Sequence, residues 1–229
     1  MTTLKHLALL LLLTTFTLVT YNCGVSRKAY VEPTTGRMVQ VQTSYGNIDI
    51  LLSDSTPLHR NNFIQLVKNK TLDSLLFHRV INTFMIQGGD PTSKYATNGV
   101  ILGNGGLQYT IPAEIKSYLF HKKGALAAAR DNNPTKASSS TQFYIVQGKR
   151  YTSAGLDSVE KGRLQGVKLA DSVRLYYQNV GGTPQLDRNY TVFGQVINGL
   201  QYVDSIAAQK VDKNNRPLQN QRFRVVLLH

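Results

Sequence analysis

Residues 77–90, with the sequence FHRVINTFMIQGGD, decide how the rest of the chain is interpreted. They form two short apolar runs, FHRVI and FMIQ, which an Asn-Thr pair separates and a Gly-Gly-Asp sequence follows. Short apolar runs bounded by turn residues predict neighbouring strands of a sheet. Arg79 lies inside the first run. Its guanidinium is always charged, so its place in an apolar strand has to be explained. His78 alternates with Arg79 along the strand, so one side chain points inward and the other outward.

The remaining patterns favour a mainly β fold. The chain has 229 residues, a hydrophobic fraction of 41% and 18 glycines, which suits one β-rich domain with additional segments. Residues 39–52 alternate between apolar and polar side chains on both sides of residues 45–47 and predict a hairpin. Residues 55–70 predict a helix capped by Thr56. Residues 200–210 predict a second helix.

A polar insert is predicted at residues 148–185, because glycines interrupt this segment repeatedly. Apolar residues at 164–169 and again at 173–176 predict one or two short helices within it. Further strands are predicted at residues 143–146, 190–197 and 222–228.

The first 22 residues predict a secretory signal that is not part of the fold. Lys5 and His6 precede residues 7–20, an unbroken run of apolar residues and threonine. This run is shorter than the roughly 20 residues that a membrane-spanning helix needs. A buried N-terminal helix is the alternative.

Cys23 is the only cysteine, so an internal disulfide is excluded. Its place directly after the signal resembles the lipidation site of a bacterial lipoprotein. We therefore predict a lipid anchor at Cys23, with plain secretion as the alternative. Residues 23–38 are polar and predict a tether.

The net charge is +13 at pH 7, which favours negatively charged binding partners. Charge alone would indicate nucleic-acid binding. The basic residues are scattered rather than clustered, however, and an export signal takes the chain away from nucleic acid. We expect no nucleic-acid partner, and anionic lipid or acidic polymers of the cell envelope suit this charge better. No sequence feature indicates an oligomer, and a monomer is expected.

Several kinds of catalytic site are not indicated by the sequence. It contains no Cys/His cluster, no phosphate-binding glycine loop and no G-x-S-x-G motif, so neither a metal nor a cofactor is expected. The histidines show no ligand spacing. His59 is expected to be solvated on its helix, and His78 to be a hydrogen-bonded structural residue. The serines at 138–140 are expected in a loop rather than as nucleophiles.

Three motifs occur in the order in which cyclophilins carry them: FHRVINTFMIQGGDP, SSSTQFYIVQG and LDRNYTVFGQV, with TPLHRNNFIQLV before them. Over residues 39–228 the chain therefore resembles a cyclophilin, a peptidyl-prolyl cis-trans isomerase. The resemblance implies an eight-stranded antiparallel β-barrel capped by two α-helices, in a domain at residues 39–229 that includes the partly helical insert. The insert and the second motif resemble the envelope cyclophilins of Bacteroidetes-type bacteria.

The resemblance also implies the substrate, a proline-containing polypeptide, and the reaction. Rotation about an X–Pro bond crosses a barrier of about 18–20 kcal/mol, because the amide loses its resonance. No covalent bond is exchanged, so the reaction requires no nucleophile or cofactor. The prolyl nitrogen gains lone-pair character as the amide twists, and a donor aimed at it binds the transition state preferentially. Arg79 is implied as that donor, and a surface salt-bridge arginine is the alternative.

By the same resemblance, further residues form a groove on the outer face of the barrel. Gln87 and Gln142 are implied to hold the substrate backbone and to orient Arg79, and glutamines of the barrel interior are the alternative. The other residues implied to bind substrate are Phe84, Met85, Ala129, Tyr144, Leu186 and Tyr190. A module that binds proline-containing peptides without catalysis is the alternative, and it would not need Arg79.

The chain departs from the family pattern at three positions. Many cyclophilins have a pocket Trp where this chain has Gln185 or a neighbour of it. The pocket His of eukaryotic forms is Tyr190, and the backbone-binding Asn is Arg130. Without the Trp, tight cyclosporin binding is not expected. The expected function is prolyl isomerisation in exported proteins at the periplasm-facing cell envelope, with anchorage at Cys23.

Overall fold

A computed structural model gives the structure of residues 37–228. The predicted signal at residues 1–22 and the predicted lipidation site Cys23 lie outside these residues. Within the part of the chain that the structure describes, no helix is both long enough and apolar enough to span a bilayer.

Residues 37–228 contain eleven strands, four α-helices and two 3-10 turns. The strands are β1 Met38–Thr43, β2 Gly46–Leu52, β3 Leu75–Leu76, β4 Arg79–Ile81, β5 Met85–Gly88, β6 Thr110–Ile111, β7 Ala125–Ala128, β8 Ser138–Ser139, β9 Phe143–Val146, β10 Val192–Asn198 and β11 Arg222–Leu227. The α-helices are α1 Pro57–Lys68, α2 Ser153–Lys161, α3 Asp171–Asn179 and α4 Leu200–Ala207. The 3-10 turns are Pro91–Tyr95 and Pro184–Leu186.

Nine strands form one curled antiparallel sheet in the order β3-β11-β1-β2-β10-β7-β9-β5-β4. Only Phe77 and His78 separate the two end strands, β3 and β4, along the chain. One interrupted strand therefore pairs with β11 at its start and with β5 at its end. Counted in this way, the sheet has the predicted eight strands. The remaining two strands, β6 and β8, form a separate small ladder.

The pair β1–β2 shows how residue alternation produces the sheet. Val39 and Val41 lie opposite Ile50 and Ile48, and all four side chains are fully buried. Each such side chain contributes about 1.5–3 kcal/mol on burial. Gly46 in the turn has φ +140°, and a Cβ there would collide with an aromatic ring of α4. The predicted hairpin is confirmed, and its turn requires glycine.

The two predicted main helices cover the sheet. Helix α1 packs on β10 and β11, and α4 packs on β2, β4 and β5. Their buried apolar residues are Phe63, Ile64, Leu66 and Val67 in α1 and Val203, Ile206 and Ala207 in α4. The mainly β fold with two capping helices is thus confirmed, and the barrel core lies between these helices and the inner face of the sheet.

The N-terminus of α1 differs from the prediction. Thr56 occupies the N-cap position, but its hydroxyl makes no capping hydrogen bond. The carboxylate of Glu114 takes that role, accepting from the backbone N–H groups of Leu58 (3.1 Å) and His59 (2.9 Å). The same carboxylate lies 2.7 Å from His59 Nδ1, and Ser138 Oγ lies 2.9 Å from Nε2.

The expectation that His59 is solvated was therefore wrong. Its side chain is buried, and burial lowers its pKa although the hydrogen bond and charge of Glu114 oppose the shift. Helix periodicity did place His59 beside the exposed residues of α1. It could not reveal Glu114, which lies 55 positions further along the chain.

The insert contains two helices, but the first lies earlier than predicted. Helix α2 precedes residues 164–169, where the prediction centred it, whereas α3 lies at the predicted place. Glu160, near the end of α2, is buried, and the segment after this helix folds back to contact its carboxylate. It accepts hydrogen bonds from Lys168 Nζ (2.8 Å), Arg174 Nη1 (2.7 Å) and the backbone N–H of Leu169 (3.1 Å). Burial alone raises the pKa of Glu160, but these hydrogen bonds outweigh it and lower the pKa to about 2.

Candidate active site

The strand register brings the predicted site residues to the outer face of the sheet. Arg79 in β4 lies opposite Gln87 in β5, which in turn lies opposite Tyr144 in β9. Val80 and Ile86, their neighbours along the strands, point into the barrel core instead. The two-residue periodicity of a strand thus divides the hairpin into a core face and a site face.

The site face lines a pocket of about 190 Å³. Its lining residues are Arg79, Phe84, Met85, Gln87, Ala129, Arg130, Tyr144, Leu186 and Tyr190. Apolar and aromatic groups make up most of the wall, and Arg79 and Gln87 supply polar groups. The structure therefore brings together every predicted site residue of the described chain except Gln142, which lies beside the pocket. Arg130, which the resemblance aligns with the backbone-binding Asn of the family, lines the pocket as well.

A series of hydrogen bonds orients Arg79. Its Nη1 donates to Gln87 Oε1 at 3.1 Å, and Gln87 Nε2 donates to Gln142 Oε1 at 3.1 Å. Gln142 Nε2 donates in turn to the carbonyl oxygens of Gly103 (2.8 Å) and Gly105 (2.7 Å). Because these carbonyls can only accept, they fix the direction of both side-chain amides. Both amide oxygens consequently point toward the guanidinium side.

Asp90 anchors the loop that supplies those carbonyls. One oxygen of its buried carboxylate accepts from the backbone N–H of Gly103 (2.5 Å) and of Gly105 (3.3 Å). The other accepts from the backbone N–H (2.8 Å) and hydroxyl (2.7 Å) of Thr92. Burial by itself raises the pKa of Asp90, but these bonds outweigh it and the pKa is lowered. A Cβ at Gly105 would collide with the Asp90 carboxylate, so this contact requires glycine.

The pocket floor is tied to the insert. The hydroxyl of Tyr144 lies 2.9 Å from His121 Nε2, and His121 Nδ1 lies 2.8 Å from an oxygen of Asp187. The other Asp187 oxygen accepts from the hydroxyl of Tyr177 in α3 at 2.7 Å. Because the carboxylate only accepts, Nδ1 of His121 donates to it, and in a neutral imidazole Nε2 then accepts from the hydroxyl of Tyr144. All four side chains are buried. Burial raises the pKa of both tyrosines.

A second, larger pocket of about 440 Å³ adjoins the first. The two share Gln87, Ala129 and Arg130 as lining residues. The loop before β6 and the segment between β7 and β9, including Gln142, complete the larger pocket. The groove therefore has two compartments that meet at the polar amides and at Arg130.

His78 lines neither compartment of this groove. Its side chain is only 4% exposed, and neither ring nitrogen has a hydrogen-bond partner among residues 37–228. His78 is thus the buried member of the alternating pair, and no contact of its ring nitrogens within residues 37–228 has the geometry of the predicted hydrogen bond. Burial lowers the pKa of His78 to about 4, although the charge of Asp90 opposes the shift.

We expect this shift to make stability depend on pH. A folded-state pKa of about 4, below the ordinary value of 6.5, means that the unfolded chain binds the proton more readily. The contribution is complete above pH 6.5 and is lost as the pH falls toward 4. Between pH 7.5 and 5 the unfolding free energy should fall by about 2 kcal/mol from this group alone.

Urea unfolding of the wild type and of His78→Gln at both pH values measures this effect. The change in unfolding free energy between the two pH values should differ between the two proteins only through His78, because His59 is present in both. An equal change in both proteins would show that His78 is protonated in the folded protein as readily as in the unfolded chain.

The chain is similar to one protein-family model and to several known proteins. The family model described as cyclophilin type peptidyl-prolyl cis-trans isomerase/CLD matches residues 38–226. A Staphylococcus haemolyticus protein named as a peptidyl-prolyl cis-trans isomerase is 33% identical over 183 residues, which are 80% of this chain and 86% of that protein. A Streptococcus pyogenes serotype M6 protein, named as a bifunctional phosphatase/peptidyl-prolyl cis-trans isomerase, is 33% identical over 193 residues. The match covers 83% of this chain but only 38% of that longer protein.

A solved structure shows the same fold. It is that of a Cryptosporidium parvum cyclophilin type peptidyl-prolyl cis-trans isomerase in the presence of the dipeptide Ala-Pro. The TM-score is 0.59 at 23% sequence identity, and the match covers 84% of this chain and 99% of that one. At this identity the likeness concerns the architecture of the sheet and helices.

Proposed function

Because the chain belongs to the cyclophilin-type peptidyl-prolyl cis-trans isomerases, we propose that Arg79 drives the isomerisation and that exported proteins are the substrates. The enzyme class follows from the family, and its substrates are proline-containing polypeptides. We propose three things that the family does not show: the roles of individual residues, the kind of client protein, and the place where the enzyme acts.

The reaction requires a site that prefers a twisted amide to a planar one. Uncatalysed exchange takes tens to hundreds of seconds because the barrier is about 18–20 kcal/mol. Every 1.4 kcal/mol or so of preferential binding to the twisted form raises the rate tenfold. Groups that bind both planar forms equally well hold the substrate without accelerating the reaction.

Arg79 supplies the preferential interaction. The prolyl nitrogen accepts a hydrogen bond only when the amide twists, so a donor aimed at it acts mainly in the transition state. The observation that carries this assignment is the oriented series Arg79–Gln87–Gln142, with each hydrogen bond at 3.1 Å, at the edge of an apolar pocket. Burial of Arg79 lowers its pKa, yet a guanidinium stays protonated at physiological pH.

The apolar pocket seats the proline ring. Phe84, Met85 and Leu186 offer an apolar surface, and Tyr144 closes the floor with its hydroxyl turned away toward His121. Removing a proline ring from water on this surface favours binding, at about 25 cal/mol for each Å² of apolar area buried. With the ring held, the preceding carbonyl is the part that rotates.

Exported proteins are the proposed clients because the N-terminus has the pattern of a secretory signal followed by Cys23. We place the enzyme at the periplasm-facing cell envelope, as a lipoprotein of the kind that Bacteroidetes-type bacteria carry. Several acyl chains on one cysteine would anchor it stably. We propose that it acts as a monomer, since one chain supplies both Arg79 and the apolar wall of the pocket.

The client role can be tested by refolding. We expect catalytic amounts of the enzyme to accelerate the slow, proline-limited refolding phase of an unrelated secreted protein, and to leave the fast phase unchanged. Arg79→Ala should remove the acceleration. If the slow phase disappears only at stoichiometric enzyme, and does so equally with Arg79→Ala, the chain acts as a binding module on folding clients.

The location can be tested by mass spectrometry of the mature protein from membranes. We expect an N-terminus at Cys23 that carries acyl chains, and release of the protein from membranes by Cys23→Ala. A mature N-terminus without lipid would contradict anchorage and leave secretion as the route.

A further inference from the structure

Arg130 lies where the two compartments of the groove meet. It follows Ala129 directly after β7 and lines both the 190 Å³ and the 440 Å³ pockets. With a proline ring in the smaller pocket, the residues next to that proline would lie nearest to this junction, within reach of the Arg130 charge.

The guanidinium of Arg130 is held in place. Its Nε donates to the carbonyl oxygen of Asn189 at 2.9 Å, and Nη1 donates to that of Asp131 at 3.0 Å. The group also lies over the ring of Tyr190, 4.8 Å from the ring centroid. The two hydrogen bonds and the ring contact leave the side chain little freedom to move away from the groove.

Arg130 retains unused donors. A guanidinium has five N–H groups, and the two hydrogen bonds above employ two of them. No carboxylate forms an ion pair with Arg130 within residues 37–228. The groove thus presents a positioned, half-buried cation whose remaining donors have no partner in the described chain.

The surroundings are also cationic. Arg79 lines the smaller pocket, and Lys136 donates from Nζ to the carbonyl oxygen of Arg188 at 2.8 Å beside the larger one. Asp131 is the only acid among the described residues that line either compartment, and its side chain is exposed. The lining of the two compartments therefore carries two guanidinium groups against one carboxylate, and that carboxylate is exposed and more strongly screened.

We propose that Arg130 makes this groove selective for substrates that carry Asp or Glu within two residues of the proline. The inference rests on the proposed function, which places the proline ring in the smaller pocket. One residue spans at most about 3.6 Å of extended chain, so side chains next to the proline reach the shared wall. A carboxylate matches the guanidinium fork and makes charge-assisted hydrogen bonds, about twice as strong as neutral ones. A lysine at the same place meets repulsion from Arg79 and Arg130.

The test compares peptides that differ only in charge. Glu, Gln and Lys are placed in turn at each of the two positions before and after the proline. Isomerisation is followed by NMR exchange, which needs no protease. We expect kcat/KM for Glu to exceed that for Gln by about threefold to tenfold at one position or more, and Lys to be poorer than Gln. The preference should shrink in 0.5 M NaCl, where the screening length is below about 8 Å.

Four variants assign the effect. Arg130→Gln should bring the Glu-to-Gln ratio to within about twofold, and Arg130→Lys should keep part of it because the charge remains. Asp131→Asn should increase the ratio. Lys68→Gln, at the exposed end of α1, changes the net charge equally and should leave the ratio unaltered.

The measured quantity is the ratio of kcat/KM for the Glu peptide to that for the Gln peptide. A variant that isomerises all peptides more slowly therefore still reports the preference. If the wild type isomerises all peptides but shows no Glu preference at any position, Arg130 is not a specificity determinant. The same holds if Arg130→Gln keeps the preference. Should Arg130→Gln fail to fold, Arg130→Lys, Asp131→Asn and the salt dependence of the wild type decide the matter. Absence of isomerisation with every peptide would overturn the proposed function itself.

Discussion

Replacing Arg79 with alanine is expected to lower kcat/KM for an X–Pro peptide by about 10²–10³-fold, in the range found when an oriented transition-state donor is removed. The lost hydrogen bond forms only as the amide twists, so kcat should fall as much as kcat/KM and KM should change little. A protease-coupled assay on a cis-Pro peptide, corrected for the uncatalysed rate, measures the first quantity. NMR exchange at saturating peptide measures the second.

Two further variants separate the donor from its charge and its orientation. Arg79→Lys keeps the charge but replaces the planar fork by a point charge, and should restore only a small part of the rate. Gln87→Ala keeps the guanidinium and removes the 3.1 Å hydrogen bond that orients it, for an expected loss of about tenfold. Equal rates for wild type and Arg79→Ala, both above the uncatalysed rate, would exclude Arg79 as the donor.

Replacing Asp187 with alanine should cause the largest loss of stability, about 3–5 kcal/mol of unfolding free energy. Its carboxylate accepts from the backbone N–H and Nδ1 of His121, both at 2.8 Å, and from the hydroxyl of Tyr177 at 2.7 Å. Alanine would leave these donors buried without an acceptor. Because His121 also holds the hydroxyl of Tyr144, the pocket floor should loosen and KM should rise. Urea unfolding and peptide kinetics measure the two effects.

Matched variants check that the buried network is responsible. Tyr177→Phe removes one hydroxyl and should cost about 1–2 kcal/mol, which tests whether the insert supports the pocket floor. Asp131→Ala removes an exposed acid of the same groove and should change the unfolding free energy by no more than about 0.5 kcal/mol. A loss below 1 kcal/mol or so for Asp187→Ala would mean that water or relaxation satisfies the exposed donors.

Much of the groove could be predicted because it depends on neighbouring residues. The two-residue alternation in residues 77–90 places Arg79 and Gln87 on one face and Val80 and Ile86 on the other. The family motifs then indicate which of the two faces carries the site. The strand count came from the family resemblance, and it fits the structure because β3 and β4 form one strand with a two-residue interruption.

The errors share a different cause. His59 is buried because Glu114 and Ser138 meet it from distant parts of the chain. The first helix of the insert lies earlier than predicted, and Glu160 near its end accepts hydrogen bonds from Lys168 and Leu169. In both places one charged or polar group attracts partners that local periodicity does not reveal.

The sequence by itself determined the family, the alternating strands, the two capping helices and the identity of most groove residues, because these follow from local pattern and motif order. The tertiary structure decided how the groove is supported. It brought Asp90 to the loop that orients the glutamines, Tyr177 and Asp187 to the pocket floor, and Arg130 to the junction of the two compartments. These contacts join residues far apart in the chain, and a hydrogen bond depends on distance and direction in space rather than on separation in sequence.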